Sequence, residues 1–254
     1  MKYWREWTVP ALCAAGFLAV ALTVSNQQLF LALNALGPAS SDWLWANITV
    51  IGDTLVAFAL CLPLWRRRPD LVWAFVFVVL LGTAWARGFK LLLDVPRPPA
   101  VLGDAVHVIG QAYRADSFPS GHATAVFAIG GLYMLGFRKW GWVILVLTVA
   151  GIAALSRAVV GVHWPLDILG GAIGGWLSAI AGLWIARRTL RFGLYPEVQW
   201  VVGLFLVACA AWLAIGHDSG YPQADLFQRA IGICCLISAA TTLVHAGISR
   251  HPGL

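Results

Sequence analysis

Residues 71–93 read Leu-Val-Trp-Ala-Phe-Val-Phe-Val-Val-Leu-Leu-Gly-Thr-Ala-Trp-Ala-Arg-Gly-Phe-Lys-Leu-Leu-Leu. No charge appears before Arg87, and the run is as long as the roughly 17–25 apolar residues a helix needs to cross the hydrocarbon core. Outward from it, comparable runs lie at 9–25, 43–64, 121–137, 141–160, 166–186, 200–216 and 227–247, which gives eight candidate spans. The stretch 121–137 is short and Gly-rich, and Leu29–Gly37 is too short to span and is predicted to lie along the interface. The expected fold class is therefore all-α, a polytopic transmembrane helix bundle.

Composition supports this reading. Of 254 residues, 60% are hydrophobic and only 11% charged, with a mean hydropathy of +0.80. A soluble domain averages about 45–50% apolar and about 25% charged, so these polar residues cannot cover a water-facing surface. Disorder, a coiled coil and a disulfide-stapled scaffold are excluded by the same arithmetic. The net charge of +6 would suggest nucleic acid in a soluble protein. Here the basic residues cluster between apolar runs, as membrane loops do, and no nucleic-acid partner is expected.

If the N-terminus is cytoplasmic, the inner segments hold Lys2, Arg5, Arg66, Arg67, Arg68, Arg138, Lys139, Arg187, Arg188, Arg191 and Arg250, 11 of the 17 basic residues. The outer segments hold Asp42, Asp94, Asp104, Asp116, Asp218 and Asp225. An even number of spans then leaves both termini cytoplasmic. Trp4, Trp7, Trp43, Trp45, Trp65, Trp140, Trp142 and Trp200 fall at span ends and read as interfacial anchors. Lys2 and Arg5 before an apolar stretch resemble a signal peptide, but no small-x-small cleavage site precedes Gln27, so the first run reads as an uncleaved helix. The five Cys all sit within spans and lack metal-ligand spacing.

Charges at membrane depth are costly and mark function by default. Arg87 can snorkel to the interface from its position near a span end. Lys90 and Arg157 sit beside further chemistry. Three outer segments read Lys90-Leu-Leu-Leu-Asp94-Val-Pro96-Arg97-Pro98, Asp116-Ser-Phe-Pro119-Ser120-Gly121-His122 and Ser156-Arg157-Ala-Val-Val-Gly-Val-His163-Trp-Pro-Leu-Asp167. Together they describe an oxyanion site. Lys90, Arg97 and Arg157 supply cations, and guanidinium forks match phosphate oxygens. Ser120 and Gly121 open a helix whose unpaired N–H groups attract an anion, and the Ser120 hydroxyl adds a donor. Asp167, four residues after His163, can fix the imidazole tautomer and leave the other nitrogen free to attack phosphorus. His122 is placed to act as general acid.

The pattern Lys-x6-Arg-Pro, Pro-Ser-Gly-His, Ser-Arg-x5-His-x3-Asp resembles the type 2 phosphatidic acid phosphatase (PAP2) superfamily, which also contains vanadium haloperoxidases. All three motifs are complete and in order within residues 90–167. The resemblance implies a six-span catalytic core over residues 1–190, with 191–254 adding two C-terminal helices and a short cytoplasmic tail. It implies that Lys90, Arg97, Ser120, Gly121 and Arg157 bind phosphate, that His122 protonates the leaving group, that His163 is the nucleophile, and that Asp167 orients it. It also implies catalysis without a metal or other cofactor. The activity implied is hydrolysis of a lipid monophosphate or diphosphate through a phosphohistidine. Candidate substrates are undecaprenyl diphosphate, phosphatidylglycerol phosphate, phosphatidic acid and lipid A. The polyprenyl carrier has an edge because its diphosphate arises on the outer face.

Two other functions compete. A lipid phosphotransferase would pass the phosphate to a second lipid, but family members acting so on lipid A depart from Pro-Ser-Gly-His. An anion transporter would place its charges near mid-span rather than at one face. Compact loops point to a bacterial inner membrane, with the site on the periplasmic face. Asn47 and Asp53, inside the second span, are expected to pair within the bundle. His107 and Arg114 read as an ordinary solvated loop, the alternative being contact with the rest of a headgroup, and His217 and His245 receive no role. The composition of the last two spans assigns them no function, and the oligomeric state is left open.

Overall fold

The apolar runs fold as helices close to their expected places. The computed structural model describes residues 4–23, 25–137 and 140–248. Lys2, Arg138, Lys139 and Arg250 of the charge pattern lie outside the described residues, as do the side chains of Trp4, Arg5, Trp140 and His245. In chain order the helices are α1 (Trp4–Thr23), α2 (Asn26–Asn34), α3 (Leu36–Ala39), α4 (Asp42–Val50), α5 (Thr54–Cys61), α6 (Pro69–Leu93), α7 (Pro98–Leu102), α8 (Gly121–Phe137), α9 (Val143–Val159), α10 (Pro165–Arg188), α11 (Leu190–Gly193), α12 (Pro196–Ile215) and α13 (Asp225–Ile248). No strand occurs among the described residues. Stretches within α1, α6, α10, α12 and α13 are long and apolar enough to cross a membrane; α8 and α9 are shorter, at 17 residues each.

The run 43–64, expected as one span, is instead a broken pair. Helices α4 and α5 meet at a bend of 54°. Asp53 causes the restart: its carboxylate accepts a hydrogen bond from the Leu55 N–H at 2.7 Å and caps α5. The same carboxylate pairs with His217 at 3.0 Å, a residue the sequence left without a role. Asn47 reaches the Gln223 carbonyl at 3.3 Å. The segment 29–37, expected at the interface, forms the rest of α2 and the start of α3. Trp65 departs from the anchoring expectation. It is buried, and its indole N–H donates to the Gln199 carbonyl at 3.0 Å, so it joins α12 to the bundle.

Helix α10 is the central element and packs against α8, α6 and α1. Pro165 pre-sets its first turn. Its contact with α8 depends on glycine: a Cβ at Gly171 would lie 2.5 Å from the Ser120 carbonyl oxygen, and one at Gly175 would collide with that of Thr124. Small residues thus let the two backbones touch, as membrane helices do where lipid supplies no hydrophobic drive for association. Helices α12 and α13 pair with each other and pack on α5.

The bundle has two chemically distinct ends. Arg68, Asp70, Gly136, Arg187 and Leu190 gather at one. Lys90, Arg97, Gly121, His122, Arg157 and His163 gather at the other. At this second end Asn34 ties the loop 94–120 to α9. Its side-chain N–H2 donates to the carbonyls of His107 at 2.8 Å and Val159 at 2.9 Å, and its Oδ1 accepts from the His107 N–H at 2.9 Å. His107 is therefore fixed rather than loosely solvated, and its ring contacts Asp42 at 2.8 Å.

Substituting Gly175→Ala should force α8 and α10 apart and cost about 1–3 kcal/mol. It should lower the thermal unfolding midpoint in detergent, whereas Gly151→Ala, with no atom within 4 Å of the new Cβ, should leave it unchanged. Asn34→Ala strands buried backbone groups on two segments, each worth about 1–3 kcal/mol. The same measurement should show a loss at least as large as for Gly175→Ala.

Candidate active site

Each motif segment is shaped by its own sequence. Helix α6 stops at Asp94, which takes a left-handed φ of 37°, and Pro96, Pro98 and Pro99 prevent its continuation. The chain then folds back: Arg97 N–H donates to the Arg114 carbonyl at 2.9 Å, Ser117 N–H to the Val95 carbonyl at 2.8 Å, and the Trp164 indole to the Pro96 carbonyl at 2.9 Å. At the far end of the loop, the Ser120 N–H donates to the Asp167 carbonyl at 3.0 Å, which locks the start of α8 to the first turn of α10.

The residues converge on a cavity of about 160 Å³ lined by Lys90, Arg97, Gln111, Tyr113, Gly121, His122, Arg157, His163, Ser219, Gly220 and Tyr221. Arg97 is held rigidly. Its Nε donates to the Ala115 carbonyl at 2.7 Å, Nη1 to the Val162 carbonyl at 3.2 Å and Nη2 to the Asp116 carbonyl at 3.3 Å, while the Tyr113 ring lies against it. Arg157 is 3% exposed; its Nη1 donates to Thr49 Oγ1 at 2.6 Å and Tyr221 Oη at 2.9 Å, and its buried Nε has no partner. Lys90 is half-buried at the end of α6. Gly121 and His122 line the cavity at the first turn of α8, where backbone N–H groups lack intrahelical partners.

His163 lies 3.3 Å through Nε2 from Arg97 Nη1. A guanidinium only donates, so Nε2 must be the accepting nitrogen and Nδ1 carries the proton. Nδ1 faces Asp167 Oδ2 at 3.5 Å and has no shorter partner. The carboxylate is itself oriented, since Oδ2 accepts from Ser117 Oγ at 2.5 Å and from the Trp164 N–H at 2.8 Å. Burial first, then the nearby cations Arg97, Arg157 and Lys90, hold the His163 imidazole well below its ordinary pKa. The ring is thus neutral, and its Nε2 lone pair, which accepts from Arg97, lies at the wall of a cationic cavity. Such a nitrogen can attack an electrophilic phosphorus, and the cations can hold its oxygens.

Of the eight residues singled out from the sequence, Lys90, Arg97, Gly121, His122, Arg157 and His163 come together on the cavity wall, and Asp167 stands behind His163. Ser120 does not join them: it is fully buried behind Gly121, and its Oγ accepts from the Ala123 N–H at 3.4 Å, so it caps α8. Sequence reasoning gave no role to Ser117, Thr49, Tyr113, Ser219 or Tyr221. Ser117 lies inside the second motif and had a local signal; Tyr221, 64 residues from Arg157, had none. Among the described residues no three His, Cys, Asp or Glu side chains form a group that could hold a metal ion.

A second, larger cavity of about 560 Å³ adjoins the first and shares Lys90 and Gly121 with it. It runs between α5, α6 and α8 and is lined mainly by apolar side chains such as Phe58, Phe75, Val78, Val79, Leu91 and Ile129. Arg87, expected to snorkel, is exposed and lines this groove.

Comparison with known proteins agrees with this geometry. The family model described as "PAP2 superfamily" matches residues 71–191. The "Putative undecaprenyl-diphosphatase YbjG" of Escherichia coli is 31% identical over 183 residues, covering 68% of this chain and 88% of the relative. A lipid A 1-phosphatase of Rhizobium etli is 36% identical over a shorter stretch of 83 residues, 32% of this chain and 35% of the relative. The crystal structure of Aquifex aeolicus LpxE superposes with a TM-score of 0.56 at 27% identity, covering 61% of this chain and 93% of that one. The complete motifs, the helical bundle and these relatives together identify the chain as a member of the PAP2 superfamily, a lipid phosphatase of the membrane.

Proposed function

We propose that the protein removes the terminal phosphate of a polyprenyl diphosphate, such as undecaprenyl diphosphate, through a phosphohistidine at His163, on the outer face of a bacterial inner membrane. The observation that carries this reading is the junction of the cationic cavity with the apolar groove at Lys90 and Gly121. A phosphate fits the first and an apolar chain fits the second. The undecaprenyl-diphosphatase relative, matched over 88% of its length, favours the diphosphate of a polyprenol over the other lipid phosphates. Sidedness is supported by Arg66, Arg67, Arg68, Arg187 and Arg188, which mark the end of the bundle away from the cavity.

In this mechanism the incoming phosphate takes over the Arg97 Nη1 hydrogen bond that His163 Nε2 otherwise accepts, with Arg157, Lys90 and the α8 N-terminus holding the remaining oxygens. Nε2 attacks phosphorus, the bond to the leaving oxygen breaks, and His122 donates a proton to that oxygen. Asp167 stabilises the positive charge on the ring through Nδ1–H. Water then attacks phosphorus, His122 takes its proton, and the N–P bond breaks to release inorganic phosphate. No metal enters these steps; the three cations supply the charge.

Phosphate release by the detergent-purified protein, assayed with EDTA over a panel of lipid phosphates, tests the reading. Undecaprenyl diphosphate should be preferred, and His163→Ala should lower kcat by about a thousandfold or more. Full turnover in that variant, or a loss with EDTA that Mg²⁺ restores, would overturn the mechanism. No hydrolysis of any lipid by the folded protein would favour transfer to a second lipid instead.

The pH profile gives an independent check. A nucleophile held below the usual imidazole pKa stays neutral as pH falls through about 6.5. The acid limb of kcat/KM should therefore have its midpoint below that value, and a midpoint at or above it contradicts a buried neutral His163.

A further inference from the structure

The connection between α12 and α13 reaches into the cavity, although it lies beyond the family match, which ends at residue 191. Ser219, Gly220 and Tyr221 line the cavity wall. Tyr221 is 4% exposed, its hydroxyl accepts from Arg157 Nη1 at 2.9 Å, and its ring lies 5.8 Å from the guanidinium carbon. The same nitrogen donates to Thr49 Oγ1 at 2.6 Å, from the turn of α4 just before the break.

The connection is itself well fixed. His217 pairs with Asp53 at 3.0 Å, the Gln228 side chain donates to the His217 carbonyl at 2.6 Å, and the Gly220 N–H donates to Asp218 Oδ1 at 2.8 Å. A Cβ on Gly110 would lie 2.7 Å from the Gly220 carbonyl oxygen, so the connection also rests on the loop that carries Arg97.

The chemistry of these contacts is specific. A guanidinium binds an oxyanion best with two N–H groups on one edge. Two acceptors on Nη1 fix the rotation of the fork and leave Nε buried without a partner. Both acceptors are neutral hydroxyls, and among the described residues no carboxylate forms an ion pair with Arg157. A carboxylate would hold the side chain equally well but would cancel the charge that an oxyanion needs. Hydroxyls orient the cation and leave its charge unspent.

We propose that Tyr221, together with Thr49, is a positioning residue that turns the Arg157 guanidinium toward the substrate phosphate, which makes the α12–α13 connection a wall of the active site. This rests on the reading of Arg157 as a phosphate-binding residue.

Tyr221→Phe keeps the ring and removes the hydroxyl. Loss of a hydrogen bond to a charged group should lower kcat/KM by about 10- to 100-fold and weaken inhibition by inorganic phosphate in parallel. The thermal unfolding midpoint should stay within about 4 °C of the parent, the shift of a single modest contact. Thr49→Val, nearly isosteric, should change both kinetic readouts in the same direction. In an Arg157→Lys background, Tyr221→Phe should add less than about a twofold further loss, because the two act as one unit. Unchanged phosphate inhibition in both single variants overturns the proposal, as does an undiminished Tyr221→Phe effect in the Arg157→Lys background. Full activity in Arg157→Ala would instead overturn the phosphate-site reading itself.

Discussion

One backbone hydrogen bond, from the Ser120 N–H to the Asp167 carbonyl, joins the starts of α8 and α10, and much of the site is arranged around it. It forms only because α10 offers no side chain where the α8 backbone arrives, at Gly171 and Gly175. Once the two helix starts are locked, His122 at the head of one and His163 just before the head of the other share a cavity. The apolar residues give the helices their membrane solvent; this contact gives them their register.

The site concentrates three cations where hydrocarbon lies nearby, an arrangement that is stable only if each charge is solvated by the protein. Arg97 is solvated by the carbonyls of Ala115, Asp116 and Val162, which also fold the loop around it. Arg157 is solvated by two hydroxyls, and Lys90 stands at a helix end where the α6 carbonyls attract positive charge. Among the described residues no carboxylate forms an ion pair with these three cations, and Asp167 spends one oxygen on Ser117 and the Trp164 N–H. The cavity therefore keeps a net positive field ready for an anion.

How much of this was legible in the sequence depends on the range of the interactions concerned. The expected run 121–137 coincides with α8, and 166–186 lies within α10, because membrane helices satisfy their backbone locally and a hydropathy run suffices to locate them. The motif residues also stood out, since a charge or a His set in apolar sequence is too costly to keep without a polar site around it. The break at residues 51–53 was missed although its signal, a cap-forming Asp53 after Gly52, was present; hydropathy averaged across it. Trp65 reads like an interfacial anchor until α12 covers it. Tyr221 and Ser219 could not be found at all, because nothing local in the α12–α13 connection distinguishes a cavity wall from an ordinary turn.

The bend between α4 and α5 has a mechanical consequence. Thr49, on one side of it, touches Arg157, while Thr54, Ala57 and Phe58, on the other, form part of the apolar groove wall. Two short rods joined at a capped elbow thus bear on both compartments at once. Asp53 caps α5 at the elbow and its carboxylate also meets His217, so the α12–α13 connection is anchored at the same point. On the proposed reading, one bent element therefore borders both compartments, the phosphate cavity through Thr49 and Arg157 and the chain groove through Thr54, Ala57 and Phe58.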